Sequence, residues 1–317
     1  MLEETWPRRR LDPEQIRRLN NTTVDAIARF LNLAPDAVDL SVVRDLAERT
    51  GVSTDYAYAV CLASLFGLES VGEGQDYFRN YFVPMVHQLS PESFRADPYY
   101  RCIRIPEASR GNWQLRTQTL KPGEGFICDD FKVFPDGRLV PQVGFFDEPF
   151  SYPAVLQNGR EWMTLMPNET VTSREAVERS RGNVLTFGLG LGYFAYMASI
   201  KPEVAHLTVV ELDPDVISLF NEFILPQFPL RDKIEVIQSD AFDYAEKRMK
   251  KGQFDFVFAD IWHDVGDGKD LYLRMKEVEK KFPGTEFVYW LENSIRCYLR
   301  PELWPDPPRK SGPEPRE

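Results

Sequence analysis

The sequence contains few cysteines, and none of them is spaced for a zinc or a redox site. Cys61, Cys102, Cys128 and Cys297 lie far apart, so no C-x-x-C pair occurs. The N-terminus lacks the basic-then-apolar order of a signal peptide, and the longest apolar stretch, around residues 58–68, is too short to cross a bilayer. From these absences we expect a cytoplasmic protein with reduced thiols, no metal site and no membrane partner.

Positive charge is also scarce. The 317 residues include 38 lysines and arginines against 49 aspartates and glutamates, which gives a formal net charge of −11. Binding to a phosphate backbone requires lysine- and arginine-rich surfaces, and an acidic protein is repelled by anionic membranes. The only visible basic run is residues 8–10. The composition therefore argues against nucleic acid and favours a small-molecule substrate, while a homodimer stays open.

Three regions of the chain have different residue patterns. Residues 1–111 read as helical, with a capping box at residues 12–15 (D-P-E-Q) and apolar residues at helical spacing. In residues 112–165, residues 113–117 alternate like a half-buried strand, and two turn motifs, P-D-G and N-G, predict hairpins, which together indicate a small antiparallel β segment. Prolines and charges after residue 304 predict an extended tail.

The third region, residues 166–317, alternates strands and helices. We predict five strands at residues 183–187, 206–211, 233–238, 254–259 and 286–291. Such alternation is typical of an α/β fold, here a Rossmann-like parallel sheet covered by helices on both faces. Few residues follow the fifth strand, so we expect a shortened sheet. Ligands of such sheets bind beyond the carboxyl ends of the strands.

A glycine-rich loop, residues 188–192 (G-L-G-L-G), follows the first of these strands and opens a helix. Glycine permits a tight turn and a close approach of a ligand, and a helix N-terminus offers free N–H donors. We therefore predict that Gly188, Gly190 and Gly192 bind a cofactor. The alternative interpretation is a purely structural turn.

Carboxylates end the next two strands. Glu211 lies about 20 positions after the glycine loop, where a carboxylate can accept hydrogen bonds from both ribose hydroxyls. Asp240, followed by Ala241, can accept a hydrogen bond from an adenine amino group, although it is also placed to cap a helix. Both roles are compatible.

The end of the fourth strand is the predicted reacting end of the site. Asp260 and His263 are the candidate catalytic groups, because a carboxylate or an imidazole there can accept a proton. For His263 an ordinary loop role remains equally open. Trp262, Asp264 and Glu169 are the candidate substrate contacts, as an aromatic wall and acidic groups.

A dehydrogenase pattern is the first competing interpretation. Residues 190–195 formally satisfy G-x-G-x-x-G/A. The position of the motif argues against a dehydrogenase, because such an enzyme requires more sheet and a catalytic domain after it.

At these residues the chain resembles the class I S-adenosylmethionine-dependent methyltransferase superfamily. Residues 184–192, 208–211 and 239–241 look like its first three motifs. Within the superfamily the chain looks closest to the spermidine-synthase-like branch. Residues 156–160 and 167–170 resemble the segment of that branch that leads into the cofactor domain. The resemblance covers about residues 112–295. It implies S-adenosylmethionine as the cofactor and S-adenosylhomocysteine as the product.

The chain departs from the pattern of that branch at three places. Leu191 stands where its aminopropyltransferases carry an aspartate, and residues 260–264 (D-I-W-H-D) replace their D-S-S/T-D-P run. Thr186 replaces the usual acid of the first methyltransferase motif. We therefore predict a methyltransferase acting on a small-molecule acceptor. The alternatives are an aminopropyltransferase that uses decarboxylated S-adenosylmethionine, and a non-enzymatic cofactor-binding scaffold.

Overall fold

A computed structural model describes residues 11–263 and 265–299 of the chain. The predictions for residues 8–10, for Asp264 and for the tail after residue 304 lie outside the described residues. Of the helices in the described ranges, none has the length and apolar character needed to span a membrane.

The described part of the chain begins with three helices. They are α1 (Pro13–Leu33), α2 (Leu40–Thr50) and α3 (Thr54–Leu65). The predicted capping box is confirmed: the Asp12 carboxylate accepts the N–H groups of Glu14 and Gln15 at 3.0 and 2.8 Å, and Gln15 accepts the Asp12 N–H at 3.1 Å. Apart from the 15-residue α12, the later helices are short. They are interrupted or joined by π-helical turns at Phe78–Phe82 and Phe220–Ile224 and by 3-10 turns at Gly72–Gly74, Leu225–Gln227 and Arg231–Lys233. These helices are α4 (Gln75–Tyr77), α5 (Pro91–Arg95), α6 (Pro98–Cys102), α7 (Pro167–Thr172), α8 (Arg174–Arg179), α9 (Tyr193–Ser199), α10 (Pro214–Leu219), α11 (Ala241–Lys247), α12 (Val265–Glu279) and α13 (Glu292–Cys297).

The strands form three sheets. They are β1 (Val86–Gln88), β2 (Ala108–Arg110), β3 (Trp113–Leu120), β4 (Phe126–Val133), β5 (Leu139–Phe145), β6 (Phe150–Gln157), β7 (Arg160–Thr164), β8 (Gly182–Phe187), β9 (Val204–Glu211), β10 (Ile234–Gln238), β11 (Phe256–Ala259) and β12 (Glu286–Tyr289). The sheet orders are β1-β5-β4, β2-β3-β6-β7 and β10-β9-β8-β11-β12.

The strands between residues 112 and 165 divide between two sheets rather than forming one. The predicted turns are present: residues 135–137 join β4 to β5, and Asn158 and Gly159, with φ of 53° and 77°, join β6 to β7. Positive φ at both positions is typical of a tight hairpin turn. Strands β1 and β2 extend the two sheets from within the region predicted as helical. Each has only three residues, which is too short to produce a recognisable periodic pattern.

The five-strand parallel sheet is confirmed. Strand β8 lies at its centre, between β9 and β11, so the order of connection reverses beside β8. A reversal of this kind opens a crevice at the carboxyl ends of the strands, where ligands of α/β sheets bind. Within residues 11–263 and 265–299, only helix α13 follows β12.

The N-terminal helices pack against β5 of the first sheet. Their shared core includes Tyr58, whose ring stacks on Phe145 with centroids 4.1 Å apart and whose hydroxyl donates to the Gly123 carbonyl at 2.9 Å. Asp130 of β4 joins this sheet to the parallel one. It accepts the N–H groups of Asn293 and Ser294 at 2.9 and 2.8 Å and thereby caps α13.

Candidate functional site

A cavity of about 400 Å³ lies at the carboxyl ends of β8, β9, β10 and β11. Strands β3, β6 and β7 of the four-strand sheet contribute side chains to its other wall. The structure brings most of the predicted site residues to this cavity. Its lining includes Glu169, Gly188, Gly190, Glu211, Asp240, Ala241, Asp260, Trp262 and His263.

The glycine loop has a backbone conformation that favours glycine. Gly188, Gly190 and Gly192 have φ of 97°, 50° and 76°, all in the left-handed region. Gly192 is not among the cavity-lining residues. A Cβ atom there would lie 2.5 Å from the ring of Phe220, so this glycine permits close packing of the loop on the neighbouring π-helical turn.

Glu211 connects the end of β9 to the glycine loop. Its Oε2 atom accepts the N–H of Leu189 at 3.1 Å, and its Oε1 atom accepts the N–H of Asp213 at 2.9 Å. Burial raises the pKa of Glu211, and the two N–H donors partly offset that rise. A carboxylate has about four acceptor positions, so both oxygens keep capacity for ligand hydroxyls.

Asp240 caps helix α11, as one of its two predicted roles required. Its Oδ1 atom accepts the N–H groups of Phe242 and Asp243, both at 2.9 Å. Ala241 and Phe242 follow it along the cavity wall. Asp240 therefore caps the helix and lines the cavity at the same time. Its Oδ1 atom accepts both capping bonds, and Oδ2 is the second oxygen of the carboxylate.

Three carboxyl groups lie close together in the cavity wall. Burial raises the pKa of Glu169 well above its usual value, and the neighbouring Asp260 raises it further. Burial also raises the pKa of Asp260, to about 7, with an additional contribution from Glu211. Among the described residues that line the cavity there is no lysine or arginine. The wall is therefore suited to a ligand that carries positive charge.

His263 lies at the exposed rim of the cavity and connects β11 to the four-strand sheet. Its Nε2 atom is 3.2 Å from the Glu161 carbonyl oxygen, and its ring centroid is 5.4 Å from that of Trp162. Its backbone N–H donates to the Asp267 carboxylate at 3.2 Å. The imidazole thus contacts the wall opposite the strand that carries it.

Tryptophans line much of the cavity, and the sequence analysis found only one of them. Trp113, Trp162, Trp262 and Trp290 all contribute to the lining, and they are the only tryptophans in the described part of the chain. The rings of Trp113 and Trp162 meet edge to face, with centroids 5.8 Å apart. Alternation predicted the strand of Trp113 and the N-G turn predicted that of Trp162, but neither pattern shows which side chains face a cavity.

Leu191 does not face the cavity. Its side chain is fully buried in the core of the parallel sheet. Its backbone N–H donates to the Met163 Sδ atom at 3.2 Å, and its carbonyl accepts the hydroxyl of Tyr99. Leu191 therefore contributes to the packing of the loop. The acidic residues that line the cavity are Glu169, Glu211, Asp213, Asp240 and Asp260.

Residues 177–277 match the model of a family described as O-methyltransferase. The match confirms the resemblance of this part of the chain to the class I S-adenosylmethionine-dependent methyltransferase superfamily. It also implies S-adenosylmethionine as the methyl donor and S-adenosylhomocysteine as the product. Similarity to the spermidine-synthase-like branch stays a prediction. Among curated proteins, none matches the chain.

Two solved structures resemble parts of the chain. A proposed O-methyltransferase from Klebsiella pneumoniae is 17% identical, with a TM-score of 0.26, over 32% of this chain and 46% of that one. The precorrin 8W decarboxylase from Methanobacterium thermoautotrophicum is 18% identical, with a TM-score of 0.29, over 38% of this chain and 62% of that one. The chain thus covers less than two thirds of either neighbour. The family match covers residues 177–277, about a third of the chain.

Proposed function

We propose that the protein is an S-adenosylmethionine-dependent methyltransferase that acts on a small-molecule acceptor. The observation that carries the proposal is the convergence of the glycine loop, Glu211 and Asp240 on one cavity, from the ends of three adjacent parallel strands. In this proposal Gly188 and Gly190 border the cofactor, Glu211 accepts the ribose hydroxyls, and Asp240 and Ala241 border the adenine.

The lining of the cavity fits this cofactor better than a dinucleotide. A pyrophosphate would carry negative charge toward Glu169, Glu211 and Asp260, with no lysine or arginine among the described lining residues to offset it. Like charges that lie close together in a buried site disfavour each other. A sulfonium compound carries positive charge at its reacting end, which these carboxyl groups favour.

The bound cofactor would supply a methyl group activated on sulfur. The residues of this chain would position the acceptor and exclude water, because the tryptophans form an apolar wall around the reacting end. Asp260 is the proposed proton acceptor, and its pKa of about 7 suits a base near neutral pH. His263 at the rim is the second candidate, and Glu169, Trp262 and Asp264 are proposed acceptor contacts.

Aminopropyl transfer is the second candidate, and the acidic cavity wall favours it. Glu169 and Asp260 are buried carboxyl groups that would bind an amine acceptor well. The spermidine-synthase-like branch, to which the sequence is similar, carries out this reaction. The family match to O-methyltransferases supports methyl transfer instead.

Calorimetric titration of the full chain separates these functions. We expect S-adenosylmethionine to bind more tightly than its decarboxylated form, and we expect no binding of NAD. Tighter binding of the decarboxylated form would overturn methyl transfer and favour aminopropyl transfer. If neither adenosyl compound bound, both transferase functions would fail.

A further inference from the structure

The glycine loop is held by a residue that lies outside the part of the chain that matches the family model. The hydroxyl of Tyr99, on helix α6, donates to the Leu191 carbonyl, and this bond is buried. Tyr99 is 92 positions away along the chain and lies well before residues 177–277, which match the family model. The upstream region therefore contacts the cofactor loop directly.

Asp97 fixes the position of Tyr99. Its Oδ1 atom accepts the Tyr99 N–H at 2.8 Å and caps helix α6, while its Oδ2 atom accepts the hydroxyl of Tyr193 at 3.0 Å. Tyr193 is the first residue of the helix that follows the glycine loop. The ring of Tyr99 packs on those of Tyr193 and Tyr196, with centroids 5.6 and 5.5 Å away.

Met163 of β7 holds the same peptide from another side. Its Sδ atom accepts the Leu191 N–H at 3.2 Å and lies 1.8 Å from the position of a Cβ atom on Gly190. Both polar groups of Leu191 are thus bonded to segments that precede the parallel sheet. The loop conformation then depends on these contacts as well as on the glycines.

We propose that Tyr99 is a positioning residue for the cofactor, acting through the Leu191 carbonyl on the glycine loop. This proposal rests on the proposed function, because the glycine loop is the cofactor site in that function. Without the hydroxyl, the Leu191 carbonyl is left buried and unbonded, which favours a shifted loop whose N–H groups no longer present the same surface to a ligand.

Tyr100 offers a matched control. It follows Tyr99 on helix α6, is partly buried, and its hydroxyl also donates to a backbone carbonyl, that of Leu165. Leu165 lies outside the glycine loop. The variants Tyr99→Phe and Tyr100→Phe therefore remove the same kind of bond from neighbouring positions of one helix, and only the first bond reaches the loop.

The test is titration of the full-length natural protein and of both variants with S-adenosylhomocysteine, together with their thermal midpoints. We expect Tyr99→Phe to weaken binding roughly tenfold, the effect of one lost buried hydrogen bond. Tyr100→Phe should change the affinity by less than about twofold relative to the natural protein, although we expect it to lower the thermal midpoint about as much as Tyr99→Phe does. Equal affinity losses in the two variants, or an unchanged affinity in Tyr99→Phe, would overturn the proposal.

Amide hydrogen exchange of residues 189–192 supplies a second readout that does not require a ligand. Exchange there should be faster in Tyr99→Phe than in Tyr100→Phe, and equal exchange in both would also overturn the proposal. If Tyr99→Phe does not fold, Tyr193→Phe replaces it, because it breaks the bond to Asp97 and should weaken binding in the same direction. Failure of the natural protein to bind S-adenosylhomocysteine would count against the proposed function, and the exchange comparison would still decide the role of Tyr99.

Discussion

The carbonyl oxygen of Asp260 lies 1.9 Å from the position that a Cβ atom on Gly188 would occupy. The ends of β8 and β11 are therefore in direct backbone contact, and the Asp260 N–H donates to the Phe187 carbonyl at 2.9 Å beside it. The proposed cofactor loop and the proposed proton acceptor are thus held in one fixed arrangement.

Gly188→Ala should disrupt this arrangement. A Cβ atom must displace the backbone of Asp260, so we expect the loss of cofactor binding and a clear loss of stability. Gly137→Ala is the matched control: its φ of 92° is close to the 97° of Gly188, and nothing lies within 4 Å of its Cβ position. The control should lose only about 1–2 kcal/mol of unfolding free energy from left-handed strain. Equal losses in urea unfolding would contradict the importance of the contact with Asp260.

Glu211→Ala should weaken binding of S-adenosylhomocysteine by about 1–3 kcal/mol, the typical effect of leaving a buried polar partner unpaired. Glu235→Ala on the adjacent strand is the control. Its carboxylate is exposed and 3.7 Å from the His206 ring, a pair that contributes little. Calorimetry measures both affinities. Unchanged affinity in Glu211→Ala would place the ribose site elsewhere.

Asp260 makes the stability of the protein depend on pH. Burial raises its folded-state pKa to about 7, above an unfolded value of about 3.9, so the folded state binds the proton more tightly. This contribution favours folding at pH values below about 4 and is lost as the pH rises through about 7. The variant Asp260→Asn cannot ionise at this position. At pH 8 we therefore expect its free energy of unfolding to exceed that of the natural protein by about 1–3 kcal/mol.

The difference between Asp260→Asn and the natural protein should shrink toward pH 5, as measured by urea unfolding at both pH values. Asp243→Asn serves as the control, because that carboxylate is exposed and pairs with Lys247. We expect its effect to be small at both pH values. A difference for Asp260→Asn that does not change with pH would contradict a raised pKa at this position.

Asp130→Ala should destabilise the contact between β4 and α13. The substitution removes the cap of that helix and leaves Ser294, whose hydroxyl and N–H both donate to Asp130, without its acceptor. We expect a loss of about 2–3 kcal/mol in unfolding free energy. Asp39→Ala removes an exposed cap from α2 and should lose about 1 kcal/mol. Equal losses in the two variants would indicate that Asp130 contributes no more than an exposed helix cap and does not stabilise the contact between β4 and α13.

Local patterns predicted the parallel sheet well. Runs of apolar residues such as Val184 and Leu185, which are buried in the structure, predicted the strands. Stretches with helical periodicity separate them, and the ends of each predicted strand agree with the structure to within about two residues. The residues at the strand ends, Glu211, Asp240 and Asp260, then fall at one edge because parallel strands share a direction. That is why the sequence alone could assemble most of the candidate site.

The side of the cavity formed by the antiparallel strands could not be predicted in this way. Trp113 belongs to a strand whose alternation shows that one face is buried, without showing what covers it, and Trp162 belongs to a short strand without such alternation. The three-residue strands β1 and β2 form through pairing with distant partners, which no local pattern encodes.

The sequence by itself determined the order of strands and helices, the glycine loop and the carboxylates at the strand ends, because these follow from local periodicity and turn chemistry. Only the tertiary structure decided that Leu191 faces the core, that Tyr99 and Met163 bond its peptide, and that Glu169 approaches Asp260. These contacts join segments far apart in the chain, and they depend on how the sheets pack, which is a property of the whole fold.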